Sequence, residues 1–198
     1  NKNPQLPYSF TVLSNIEECC MKKRSDKPEL YFFGYPRILR GGQPVHMQRK
    51  KACALLAYLA LNRRRFSRED LVAMFWPDCD SSHARANMRK VLSEIHSALG
   101  PDVLPTAPEY IGPLNPDLIW IDVIEFQECY SVKTSDPAFI AANRPQKIAQ
   151  LKDGIGLYTA DFLSGFTIEE CDRFSEWQFL SAEYLKQELC SCLERLTV

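Results

Sequence analysis

The apolar positions of this chain fall into two rhythms, and where one gives way to the other marks the elements. In "LYFFGYPRILRGGQPVHM", Leu30 to Met47, aromatic and β-branched residues flank Gly41-Gly42, which predicts a β-hairpin from roughly Leu30–Leu39 and Pro44–Met47. From Arg49 to Asn62 the pattern becomes helical and apolar on nearly every side, so this helix must be covered on several faces. Ser67 opens a second helix, with Asp70 three residues on and Phe66 placed to staple against Leu71. That helix stops by Trp76, because Pro77 disfavours helical geometry in the residue before it. A third helix runs from Ser81, capped by Asp80 or by Ser81 itself, to the stop signal Gly100-Pro101. Ala84, Met88, Val91, Leu92, Ile95 and Leu99 lie within one sector about 100° wide, the width of a core-facing stripe.

Downstream, "YIGPLNPDLIWIDV" alternates around the turn sequence Asn115-Pro116-Asp117 and predicts a second hairpin. Ile121, Asp122, Glu125 and Phe126 have the spacing of a stapled capping box, so a helix is expected to start at Asp122. Two further helices are predicted, at about Arg144–Tyr158 and Glu169–Leu196; in the latter Phe174, Trp177, Tyr184, Leu185, Leu189, Cys192 and Leu196 keep a three-four spacing. A β-hairpin, three helices and a C-terminal β-hairpin outline an α+β winged helix, whose second and third helices form a helix-turn-helix. An all-helical region follows. The expected organisation is a linker or upstream tail over 1–29, a winged-helix domain over 30–121 and a helical domain over 122–198.

Composition changes this picture in one respect, charge. The net charge of −1 hides an asymmetry: residues 37–90 carry 12 Lys and Arg against 4 Asp and Glu, whereas residues 151–198 carry 4 against 9. A basic segment followed by an acidic one points to a polyanion partner for the first half. The longest apolar run, Ala52–Leu61, is about half the ~20 residues a bilayer crossing needs, and no signal-peptide pattern is present, so the chain is expected in the cytoplasm. The 8 cysteines are scattered and read as reduced thiols. Catalysis has no visible constellation, since no glycine-rich phosphate loop, nucleophile elbow or HExxH occurs. His83 and His96 are separated by ~20 Å of helix, so one metal cannot take both, and no cofactor or metal is expected.

The outward side of the third helix carries Ser82, Ala86, Arg89, Lys90, Ser93 and Ser97, with Arg85 and His96 at its margin and Glu94 on one flank. Small side chains beside long cations would let the backbone approach a major groove while Arg85 and Arg89, one turn apart, reach base edges. Ser82 and Ser93 fall on the same groove-facing side. Arg49, Lys50, Arg63, Arg64, Arg65 and Arg68 are the expected phosphate ligands.

The segments "LYFFGYPRILRGGQPV", "KKACALLAYLALNRRRFSREDLVAMFWPD", "HARANMRKVLSEIHSALG" and "IWIDVIEFQ" resemble the OmpR-type winged helix of the Streptomyces antibiotic regulatory protein family. "GLYTADFLSGF" and "FSEWQFLSAEYLKQELCSCLERL" resemble the start of that family's tetratricopeptide-like bacterial transcriptional activation domain. The resemblance covers residues 30–198 and implies a transcription regulator, an activator. Its implied partners are double-stranded DNA carrying direct-repeat sites, a second copy of the chain on that DNA, and RNA polymerase. Arg85, Asn87, Arg89 and Lys90 match the family's recognition-helix positions. The chain departs from the family at His96, where an Arg is common, and at the Asn115-Pro116-Asp117 tip, which offers no cation to a minor groove. That departure leaves an alternative reading open: an interaction adaptor whose winged helix no longer reads DNA.

Overall fold

The computed structural model describes residues 27–130 and 144–197. Of the linker expected over 1–29, residues 1–26, Cys19 and Cys20 among them, lie outside the described residues, and Glu29 already belongs to the first strand. Strands β1 (Glu29–Tyr31), β2 (Arg37–Arg40) and β3 (Gln43–Pro44) form an antiparallel meander, with β6 (Trp120–Ile121) added parallel to β1 at the far edge. Leu30 stands opposite both Ile38 and Ile121, so one row of three buried side chains forms the inner face of the sheet. Gly41 and Gly42 both have positive φ, 56° and 75°, as a two-residue type I′ turn requires. The turn stands where the glycines predict it. The arm expected as Leu30–Leu39 is two strands, however, because Gly34 (φ 94°) and Pro36 break it.

Helix α1 (Lys50–Asn62) buries Ala52, Ala54, Leu55, Leu56, Ala57, Leu59 and Ala60, as its all-round apolar pattern demands. It ends on Arg63 in left-handed geometry, φ 48°. Strand β4 (Phe66–Ser67) leads into α2 (Arg68–Phe75), where the Asp70 N–H donates to Ser67 Oγ at 3.0 Å and Trp76 closes the helix. Helix α3 (Ser81–Leu99) starts on Asp80, whose side chain accepts from the N–H groups of Ser82 and His83, and stops at Gly100. All six residues of its predicted core stripe are buried.

The second hairpin is not where the sequence pattern puts it. Asn115–Leu118 does form a turn, with the Asp117 N–H donating to Asn115 Oδ1 at 3.1 Å, but the strands on either side part company. Strand β5 (Tyr110–Ile111) pairs with β4, and β6 pairs with β1. The hairpin that forms runs from Pro105 to Gly112: Thr106 bridges to Ile111, and the Ala107 and Gly112 N–H groups donate to Tyr110 and Pro105 oxygens, both at 2.9 Å. Its tip is Pro108-Glu109. Strands this short are selected by tertiary pairing rather than by their own alternation.

Asp122, the first residue of α4 (Asp122–Tyr130), departs from its expected capping role. Its carboxylate reaches across the fold instead of closing a capping box with Glu125. It accepts from the Phe32 N–H at 2.8 and 2.9 Å, the Phe33 N–H at 2.9 Å and the Val123 N–H at 2.7 Å. The Phe32 and Phe33 donors lie just past β1, beyond its ladders with β2 and β6. Burial lifts the Asp122 carboxyl to about 6, against the opposing pull of these donors.

Helices α5 (Arg144–Leu157) and α6 (Asp172–Thr197) complete the described chain. Phe174 and Trp177 of α6 stack on Phe75 of α2 and Tyr58 of α1, with ring centroids 5.4 and 4.8 Å apart. Residues 161–163 join the sheet side by backbone contact, Gly34 N–H to Asp161 O at 3.0 Å and Leu163 N–H to Phe32 O at 2.8 Å. One continuous apolar core therefore spans both halves. Of the predicted three-four stripe on α6, Phe174, Leu185 and Cys192 are buried, while Tyr184 lies on the outer side and is more than half exposed. No described helix is long and apolar enough to cross a membrane.

Candidate nucleic-acid interface

With Met88, Leu92, Ile95 and Leu99 buried, the helical period fixes which α3 side chains can face outward. Arg89, Lys90 and Ser93 line one shallow open groove together with Ala86, Ser97, Glu94 and Arg49 of the neighbouring helix end. This is the largest subset of predicted DNA-contacting residues that the fold gathers. Ala86, Ser93 and Ser97 contribute small side chains to the groove, and Arg49, Arg89 and Lys90 its cations.

The other predicted residues go elsewhere. Asn87 is half-buried on the α3 flank and lines a neighbouring cleft with Lys50, Lys51, Trp76 and the Thr167–Glu170 segment, Arg49 bordering both. Ser82 Oγ donates to Asp80 Oδ1 at 2.7 Å, within the cap that starts the helix. That bond comes first among those holding the Asp80 carboxyl well below the usual range, with His83 adding to it. Arg85 Nη2 lies 3.6 Å from Glu69 of α2, both side chains well exposed. An exposed pair of this kind contributes little and leaves the guanidinium available.

The six expected phosphate ligands form no single patch, because the 13 residues of α1 separate Arg49 and Lys50 from Arg63–Arg65 by ~20 Å. Arg63 turns toward α4, 3.4 Å from Gln127 Oε1 and 3.9 Å from Glu128, on the rim of an apolar-floored cavity lined by Leu59, Leu114, Ile119 and Ile124. Arg64 and Arg65 turn the other way and lie over the rings of Phe66 and Tyr110, at 4.1 and 4.6 Å. Arg68 Nε donates to the Ala107 carbonyl at 2.7 Å, and its N–H donates to Glu109 O at 3.2 Å. The hairpin thus acquires flanking cations from the start of α2 although its tip carries none.

Three contributors escape a reading of the sequence. Glu94 accepts from the backbone N–H groups of Gln48 and Arg49 and from Arg49 Nη1 at 2.9 Å, so the one acid of α3 binds the amino end of α1. Lys51 Nζ donates to the Phe75 carbonyl at 2.6 Å and lies 5.3 Å from the Trp76 ring centre, closing the end of α2. His96, at the position where the sequence departs from the resembled family, has Nε2 2.9 Å from Leu104 O and holds the segment leading into the hairpin. Its lone placement on the margin of α3 was the available signal.

No protein-family model matches the chain, and no curated protein matches it. Among solved structures it is similar to Mycobacterium tuberculosis EmbR, determined in complex with a low-affinity phosphopeptide, at 18% identity and a TM-score of 0.53. The match covers 87% of this chain but 43% of that one, so the chain spans less than half of the EmbR structure. At this identity the likeness establishes a shared fold across both the sheet-and-three-helix part and the helices that follow.

Proposed function

We propose that this chain is a sequence-specific DNA-binding transcription regulator of the Streptomyces antibiotic regulatory protein type. In this reading residues 30–121 form the winged helix, residues 122–198 a tetratricopeptide-like region that contacts RNA polymerase or senses a signal, and the protein works in the cytoplasm without a catalytic reaction. The observation that carries the reading is the groove on α3, where Arg89, Lys90 and Ser93 meet Arg49 beside small side chains. Arg89 is the base reader, since its planar fork matches guanine O6 and N7. Arg85 and Asn87 flank it, Lys90 and Arg49 take phosphates, and Arg64, Arg65 and Arg68 meet the backbone near the hairpin.

Selection of bound fragments from a random duplex pool tests the proposal. A regulator enriches a repeated motif, and Arg89→Ala then weakens binding to that motif by roughly 1 to 3 kcal/mol while changing random-duplex binding far less. Equal titrations for wild type and Arg89→Ala on the enriched site would remove α3 from the major groove. The adaptor reading draws on a hairpin tip without a cation and on a net charge of −1. It predicts that no motif is enriched.

A further inference from the structure

Arg49 is the N-cap residue of α1, yet its own side chain makes no cap bond. The acceptor comes from another helix: Glu94 takes the Gln48 and Arg49 backbone N–H groups on Oε1 and the Arg49 guanidinium on Oε2. A helix amino end carries about half a positive charge. The Glu94 carboxylate is therefore shared between that end and the guanidinium, and the three together sum to about +0.5 rather than zero. Glu94 is also the sheltered member of the pair, its side chain 13% exposed against 45% for Arg49. A guanidinium has five N–H donors in a rigid fork, and Glu94 engages it at Nη1. Arg49 lines the groove that it shares with Arg89 and Lys90, and borders the cleft beside Asn87 as well.

We infer that Glu94 is a positioning residue that fixes Arg49 as a phosphate ligand beside the α3 face. Backbone donors hold the acid in place whether or not DNA is present, so the arginine meets the phosphate already ordered instead of losing its rotamer freedom on binding. This rests on the DNA reading and assigns the acidic residue of the face a supporting role in it.

Fluorescence anisotropy with a random-sequence duplex at several salt concentrations, on the full chain, tests the inference. Glu94→Gln keeps an oxygen for the backbone cap and removes the charge that holds the guanidinium. It is expected to weaken binding about fivefold, the scale of ordering one rotamer-rich side chain on binding. The slope of log affinity against log salt should become shallower by up to about 0.9. Arg49→Ala should do the same, and the double variant should bind no more weakly than Arg49→Ala alone. Tighter binding with a steeper slope for Glu94→Gln means the acid only screens Arg49 and overturns the inference; additive losses in the double variant overturn it too. Should Glu94→Gln not fold, Arg49→Lys decides: it keeps the charge without the fork, so positioning predicts binding like Arg49→Ala and screening predicts binding like wild type. A wild type that binds no duplex overturns the DNA reading and this inference with it.

Discussion

Replacing Asp122 by Ala removes the acceptor for two backbone N–H groups, those of Phe32 and Phe33, which lie between the sheet and α4. Each orphaned buried donor costs about 1 to 3 kcal/mol, and the lost bond to the Val123 N–H adds about 1 kcal/mol. The sum is roughly 3 to 7 kcal/mol with the carboxyl neutral. Charge works in the opposite direction. Burial raises the Asp122 carboxyl from 3.8 to about 6, so the wild type has this stabilisation in full below pH 3.8 and loses it as pH rises through 6. That loss is about 3 kcal/mol overall, of which about 2 kcal/mol falls between pH 4.5 and 7.5. Asp122→Ala has no such dependence. Urea denaturation followed by tryptophan fluorescence should therefore show Asp122→Ala destabilised by roughly 2 to 6 kcal/mol at pH 4.5 and by about 2 kcal/mol less at pH 7.5. Equal destabilisation at the two pH values, or a loss below about 1 kcal/mol at pH 4.5, would refute the clasp.

Two further outcomes follow from packing. A Cβ at Gly154 would lie 2.6 Å from Cys129 Cβ, whereas one at Gly156 would meet nothing within 4 Å. In thermal melts Gly154→Ala should lose about 1 to 3 kcal/mol as α4 and α5 are forced apart, while Gly156→Ala should be neutral or gain up to about 1 kcal/mol. Phe174 is fully buried between Phe75 and Trp177, with ring centroids at 5.4 and 5.3 Å. Phe174→Ala should cost about 3 to 5 kcal/mol and keep a single denaturation transition for probes in either half; two separated transitions would show that the halves do not share a core.

Local signals carried most of the elements into view. Ser67 with Asp70, Asp80 before Ser82, and the Gly41-Gly42 and Gly100 positions each act within a few residues, and each stands where those residues put it. The α3 stripe was equally readable, because a period of 3.6 with one apolar face admits a single orientation. Pairing over long distance was not readable. Strand β5 has two residues and its partner β4 lies more than forty positions earlier, so nothing within "YIGPL" distinguishes that partner from the nearer "LIWI". Asp122 shows the same limit: its spacing to Glu125 fits a capping box, and only the fold brings Phe32 and Phe33 within reach. At the candidate site, the sequence supplied the side chains of α3 but not their neighbours. Arg63 and Arg65, two residues apart, turn to opposite sides once Arg63 takes left-handed geometry.

The Pro105–Gly112 hairpin is held by Arg68 through a carbonyl oxygen, and its flanking charge is Arg65 lying on the Tyr110 ring. Arg65 comes from the chain just ahead of α2 and Arg68 is the first residue of that helix, and what they grip is one aromatic face and main chain. Because that grip is on main chain, the side chains at Pro108 and Glu109 can change without moving the cations, whereas a change in the length of the tip would shift the Ala107 and Glu109 oxygens that Arg68 holds. The tolerance stops at Tyr110: a residue without a ring there would set Arg65 loose while leaving the hairpin backbone intact.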